Sequence, residues 1–264
     1  MSKLMSIVLR YIRHQIKARS KYDLHSPFVF EVYSKILNDK SFNGKFVAIE
    51  KLRSQLLKDK SYINMTDFGT TAGKEPSRQN IVPVKMVIKK FCTKPSYGRF
   101  LFRMAQYFRP AVMVELGTSL GMSTAYLALG NLQGRITTIE GCRETAAMAR
   151  KNISLLGLTN VDQITGPFEK ILPGLLENLG KVDLFFIDGN HRKEPSLRYF
   201  YQCLQHVHDD SVFILDDIHW SKDMEESWEV IKSHPSVTIT IDLFRMGVVF
   251  FKEGLSKEDF ILRF

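Results

Sequence analysis

Apolar and polar positions change period along the chain. In residues 1–21, Leu4, Ile7, Val8, Tyr11, Ile12 and Ile16 recur at helical spacing among polar residues. Asp23-Leu24-His25-Ser26-Pro27 reads as a turn, with Pro27 suited to the first position of a helix over 28–37. A second amphipathic helix is expected over 46–57. Residues 64–74 are polar and glycine-containing, suited either to a lid over a site or to a plain connector. Helices over 81–92 and 99–108 follow, broken by Lys94-Pro95-Ser96-Tyr97-Gly98. From residue 111 short apolar runs alternate with helical patterns, as in a parallel sheet. Strands are expected at 111–116, 135–139, 161–164, 182–187 and 211–215, with helices over 143–156, 194–206 and 223–233. Runs 237–244 and 246–252 are joined tightly enough to form an antiparallel hairpin.

Composition narrows the class. The length of 264 residues fits one large α/β domain, or one domain with an extension. No apolar stretch approaches the length of a membrane span. Cys92, Cys142 and Cys203 are far apart and odd in number, which argues against a disulfide framework or a zinc site and suits a reducing cytoplasm. Charge is unevenly placed: residues 1–110 hold 22 Lys and Arg against 7 Asp and Glu, and the remainder 15 against 21. A solvated helical surface is the preferred account of the basic half, with a membrane surface, a nucleic acid or an acidic substrate as the others. The first helix, with six Lys and Arg and no acid in residues 1–21, can lie on an anionic membrane, dock on the body or join two copies. Docking or dimer contact is preferred. An amphipathic organelle presequence also fits its composition, whereas a signal peptide does not.

The candidate chemistry gathers at strand ends. The run 112–116 ends in Glu115-Leu116-Gly117-Thr118-Ser119-Leu120-Gly121, followed by Ser123 and Thr124 at a helix start. Glycines allow close backbone approach to a ligand, and a helix N-terminus offers amides to an anion. The Glu-x-Gly-x-x-x-Gly spacing differs from the Gly-x-Gly-x-x-Gly of dinucleotide sites. Glu140 ends the second strand, where a carboxylate accepts from a ribose diol. Asp188 ends the fourth strand, with His191 three residues on, and Asp216 and Asp217 end the fifth. Neighbouring strand ends bring these carboxylates together, which is costly without a cation and suits Mg²⁺. The Asp216-Asp217 pair also fits a helix N-cap. His191 is a competent base near neutral pH, with His219 in reserve.

Glu115 to Thr124 resembles motif I of class I S-adenosylmethionine (SAM)-dependent methyltransferases. Thr138-Ile139-Glu140-Gly141 with 146–152 resembles motif II of small-molecule O-methyltransferases. Asp188, His191, Asp216 and Asp217 resemble the metal and base positions of the metal-dependent catechol and macrolide enzymes. The resemblance covers about residues 95–252. It implies a Rossmann-like, doubly wound, mostly parallel seven-stranded sheet ending in an antiparallel hairpin. Residues 93–264 would form the domain, and 1–92 an N-terminal helical extension with a lid. It further implies SAM bound by Glu115, Gly117, Ser119, Gly121, Ser123, Glu140, Gly141 and Asp188. Gly166, Pro167 and Phe168 would frame the adenine, although Phe168 fits a core position equally well. The metal, Mg²⁺ or a similar divalent cation, would sit on Asp188, Asp216 and Asp217. The catechol enzymes carry Asp-Asn where this chain has Asp216-Asp217, which leaves a ligating role for Asp217 open.

The implied activity is methyl transfer to a hydroxyl oxygen of a small or medium-sized molecule, in the cytoplasm. No nucleic-acid partner is expected. A nucleic-acid methyltransferase is the rival suggested by the basic half, yet Asp188-Gly189-Asn190-His191 stands where amino-methylating enzymes carry Asn/Asp-Pro-Pro-aromatic. A non-catalytic SAM-binding protein is the third reading.

Overall fold

The computed structural model describes residues 3–41, 43–66 and 79–264. They belong to two compact units, one of residues 1–37 and 179–264, the other of 38–178. The first unit begins with α1 (Lys3–Lys17) and the short α2 (Pro27–Val32). Pro27 opens α2 beside Ser26, whose side chain accepts from the Val29 amide, and the helix widens into a π turn at Tyr33–Leu37.

The second unit holds α3 (Lys45–Leu56), β1 (Tyr62–Thr66), β2 (Gln79–Pro83), α4 (Val84–Lys90) and α5 (Pro95–Phe108). It continues with β3 (Val112–Leu116), α6 (Met122–Gly130), β4 (Arg135–Glu140), α7 (Arg143–Leu155), β5 (Val161–Thr165) and α8 (Phe168–Leu179). β1 and β2 pair antiparallel, so residues expected to begin a helix at 81 are strand up to Pro83. The lid expected over 64–74 lies outside the described residues from 67 onward. Residues 64–66 belong to β1, where the Asn64 amide donates to Glu144 Oε2 at 2.6 Å.

β3, β4 and β5 run parallel. The register pairs Leu116 with Ile139 and Glu140 with Thr165, so the three carboxyl ends share one edge. Residues 94–98, expected to break the helices, instead start α5, with Pro95 in its first turn. A Cβ on Gly98 would fall 2.2 Å from the Tyr126 ring of α6, so this glycine serves close helix packing.

The chain then returns to the first unit with β6 (Leu184–Ile187), α9 (Lys193–Leu204), β7 (Val212–Leu215), α10 (Lys222–Ser233), β8 (Ile239–Asp242), β9 (Gly247–Phe250) and β10 (Glu258–Ile261). Strand order in this unit is β10-β8-β9-β7-β6. β9 pairs antiparallel with both β7 and β8, as the tight 237–252 hairpin requires. β10, parallel to β8, is one strand more than the seven expected. Arg19 meets its outer side through a bridge to Leu262.

β6 and β7 are apolar and buried throughout, as parallel strands covered on both faces must be. Leu215 pairs with Ile187 on one side and with Gly247 on the other. The β8–β9 turn therefore stands at the carboxyl end of β7. Polar contacts fasten α1 on its inner face. His14 Nε2 meets Asp242 Oδ1 at 3.1 Å, and Arg10 Nε meets Glu225 Oε2 at 2.7 Å. Val8, Leu9, Ile12 and Ile16, spaced i, i+1, i+4 and i+8, are exposed on another face.

Candidate active site

In the second unit the turn between β3 and α6 is set by three left-handed residues, Gly117 (φ 103°), Ser119 (φ 46°) and Gly121 (φ 80°). The amides of Gly117 and Thr118 both donate to the Ile139 carbonyl, folding the turn over the end of β4. Asn152 Nδ2 holds it from α7 through the Leu120 carbonyl at 2.9 Å. Gly121 caps α6 without a side-chain hydrogen bond, so the first amides of that helix keep their attraction for an anion.

Glu140 is fixed by this turn. Its Oε2 accepts from the Ser119 amide at 2.8 Å and its Oε1 from the Cys142 amide at 2.9 Å. Burial pushes its pKa up, against the amides of Cys142, Ser119 and Gly141 that favour the carboxylate. The carboxylate keeps acceptor capacity for a further donor. Glu115 is different. It is fully buried, and its Oε2 accepts from the hydroxyls of Thr124 (2.5 Å) and Thr138 (2.6 Å). Burial raises its pKa, opposed by the hydroxyls of Ser123, Thr124 and Thr138. Glu115 thus braces β3, β4 and α6 beneath the turn, and Ser123 is buried beside it. Gly166, Pro167 and Phe168 link β5 to α8. The Gly166 amide donates to the Glu140 carbonyl, and Phe168 is partly buried.

In the first unit, β6 delivers Asp188 and β7 delivers Asp216 and Asp217. The Asp216 amide donates to the Ile187 carbonyl, fixing the two strand ends side by side. Left-handed backbone at Asn190 (φ 55°) turns the loop so that His191 comes back toward them. His191 Nε2 lies 3.6 Å from Asp188 Oδ1 and 3.9 Å from Asp217 Oδ2. Both are ion-pair distances too long for hydrogen bonds. The N-cap of α10 is Ser221, whose side chain accepts from the Met224 amide, so Asp216 and Asp217 do not cap that helix.

Asp216 is buried, and both its oxygens are engaged by Arg245 from the β8–β9 turn. Arg245 Nε donates to Oδ1 at 2.9 Å and Nη2 to Oδ2 at 2.7 Å. Arg245 Nε also lies 3.4 Å from Asp217 Oδ1. Burial opposes the guanidinium charge, but Asp216, then Asp217 and Asp188, hold its pKa above the usual arginine value. His219 is committed elsewhere, with Nε2 2.7 Å from Asp242 Oδ2 and Nδ1 3.2 Å from Glu225 Oε1. That double engagement removes it as the reserve base.

Residues 114–218 match a family described as a methyltransferase domain. The chain is 37% identical over 127 residues to a catechol O-methyltransferase of Niastella koreensis, covering 47% of this chain and 57% of that protein. It is 30% identical over 133 residues to the catechol O-methyltransferase of Mycobacterium tuberculosis, covering 50% and 59%. The chain thus spans a little over half the length of these relatives. Among solved structures, the O-methyltransferase TomG of Streptomyces achromogenes in complex with SAM aligns with a TM-score of 0.58 at 19% identity. That alignment covers 85% of this chain and 96% of TomG and shares the Rossmann-like fold.

Within residues 114–218, the turn at 117–121 and Glu140 form one hydrogen-bonded group. Asp188, His191 and Asp217 form a second, in the other unit. The acidic set does not fit a divalent ion as arranged, because a guanidinium fork covers both oxygens of Asp216. Among the described residues no group of three His, Cys, Asp or Glu side chains is placed to hold a metal. Sequence reasoning missed Arg245. Its only signal is the hairpin itself, whose turn must return to the carboxyl end of the neighbouring parallel strand.

Proposed function

We propose that this protein transfers the methyl group of SAM to a hydroxyl oxygen of a small or medium-sized molecule. The reading is carried by Glu140, a carboxylate fixed by the Ser119 and Cys142 amides at the rim of a glycine turn. The site fits SAM. Gly166 has φ 154°, a backbone conformation that side chains rarely adopt, in the stretch expected at the adenine. The uncapped first turn of α6 suits the methionine carboxylate, Glu140 the ribose diol, and Gly166, Pro167 and Phe168 the adenine.

SAM supplies an electrophilic methyl: the substrate oxygen forms the new O–C bond as the C–S bond breaks, leaving its electron pair on sulfur. His191 Nε2 takes the hydroxyl proton. Asp188 and Asp217, at 3.6 and 3.9 Å, share the positive charge that then forms on the imidazole. Catechols and simple phenols are the first substrates to test, given the names of the relatives.

We assign catalysis to residues 93–264 and an accessory role to 1–92. No helix among the described residues is long and apolar enough to cross a membrane. The exposed face of α1, with the surplus of basic residues around it, fits peripheral contact with an anionic membrane. Pairing with a second copy would set those like charges together. The three buried cysteines suit the cytoplasm.

Calorimetry with S-adenosylhomocysteine (SAH) tests the reading. Saturable binding is expected, weakened by about 1.5–3 kcal/mol in Glu140→Ala through loss of charged hydrogen bonds. Tight NADH binding with no response to SAH would overturn it.

A further inference from the structure

The acidic strand ends carry a cation of their own. Arg245 is not a surface arm that happens to rest there. Its carbonyl accepts from the Ile218 amide at 3.1 Å, and its amide donates to the Leu243 carbonyl at 2.9 Å. Pairing of Leu215 with Gly247 fixes the turn at the end of β7. From that anchored backbone the guanidinium meets Asp216 edge to edge, a geometry that a compact ammonium cannot reproduce.

An octahedral ion needs the same carboxylate oxygens at close range, and it would be repelled by a fixed positive charge beside it. The arginine also neutralises charge on Asp217, which lies near His191. We propose that Arg245 is the standing cation of this acidic centre, in the place a divalent ion takes in the enzymes the chain resembles, so that catalysis here is independent of divalent ions. This rests on the methyltransferase reading. In that scheme Arg245 is a positioning residue: it holds Asp216 and Asp217 while His191 receives the proton.

The test uses the full chain and Mn²⁺ binding followed by electron paramagnetic resonance. It does not depend on activity, and SAH calorimetry on the same sample reports separately on the methyltransferase reading. The wild-type protein is expected to bind no stoichiometric Mn²⁺ at millimolar concentration, and any methyl transfer to be unchanged by chelator. Arg245→Met is expected to gain one Mn²⁺ site, because three carboxylates are left without their cation. Adding Asp216→Asn should remove that site, and Arg245→Lys should keep the ion out. One Mn²⁺ on the wild-type protein, lost in Asp216→Asn, would overturn the proposal. So would a folded Arg245→Met that gains no ion. Should Arg245→Met not fold, the wild-type and Asp216→Asn titrations decide alone.

Discussion

His191 stands between two carboxylates without hydrogen-bonding to either, which leaves Nε2 for an incoming hydroxyl. Replacing it should lower turnover by about 10²–10⁴-fold, the usual range for a positioned base, and leave SAH affinity unchanged. Parallel loss of turnover and SAH binding would show that the residue supports the fold instead. Gly98 gives a second residue-level test. The Tyr126 ring occupies the place of its absent side chain, so Gly98→Ala should destabilise the protein by about 1–3 kcal/mol in urea unfolding. The sequence shows Gly98 beside Pro95 and Ser96, which looks like a break, because the ring that demands the glycine lies 28 positions away. Glu140 was legible, since strand register alone sets it at the rim. The burial of Glu115 was not, because it depends on hydroxyls from α6 and β4.

Helix α1 was visible as an amphipathic element, but its partners were not. Its polar inner face reaches His14–Asp242–His219, a cluster over which the Phe244 ring stacks on His219 at 5.3 Å. Burial works against charge on both groups of the central pair and is outweighed in each. Asp242 is held well below the carboxylate range by His14 and His219, and His219 is raised by Asp242 and Glu225. The depressed carboxyl contributes stability above its unfolded pKa of about 3.9, lost as pH falls through the folded value. The raised imidazole contributes fully below about 6.5, lost as pH rises through its folded value. The Tm difference between wild type and His219→Gln should therefore be largest between about pH 4 and about pH 6.5 and shrink in alkali. A gap that widens above pH 8 would contradict this pairing. On the outer face, Ile12→Asp with Ile16→Asp should abolish flotation with phosphatidylserine vesicles. Flotation that survives both changes, or a dimer that they dissociate, would move α1 from membrane to protein contact.

At the scale of the molecule, the alternation of strands and helices from residue 111 onward disclosed the parallel sheet, because buried strands read as apolar runs whatever packs on them. The seven expected strands miss β10, since Glu258–Ile261 carries two acidic residues and pairs at an edge. The division of the chain was also hidden. Residues 1–37 pack with 179–264, and no local pattern announces contacts such as His14 to Asp242 across 228 positions. That arrangement sets an order of events during synthesis. Residues 38–178 have all of their own unit's partners once that stretch has left the ribosome. Helix α1, made first, has neither Asp242 nor Glu225 to close on until α10 and β8 have emerged, and Arg19 waits longer still for Leu262. Its inner face, with Arg10 and His14, is thus the oldest unsatisfied surface of the nascent chain. Ribosome-bound chains halted before residue 242 should be cleaved by trypsin within 10–21 and spared within 111–165, whereas chains released past 264 should be protected at both.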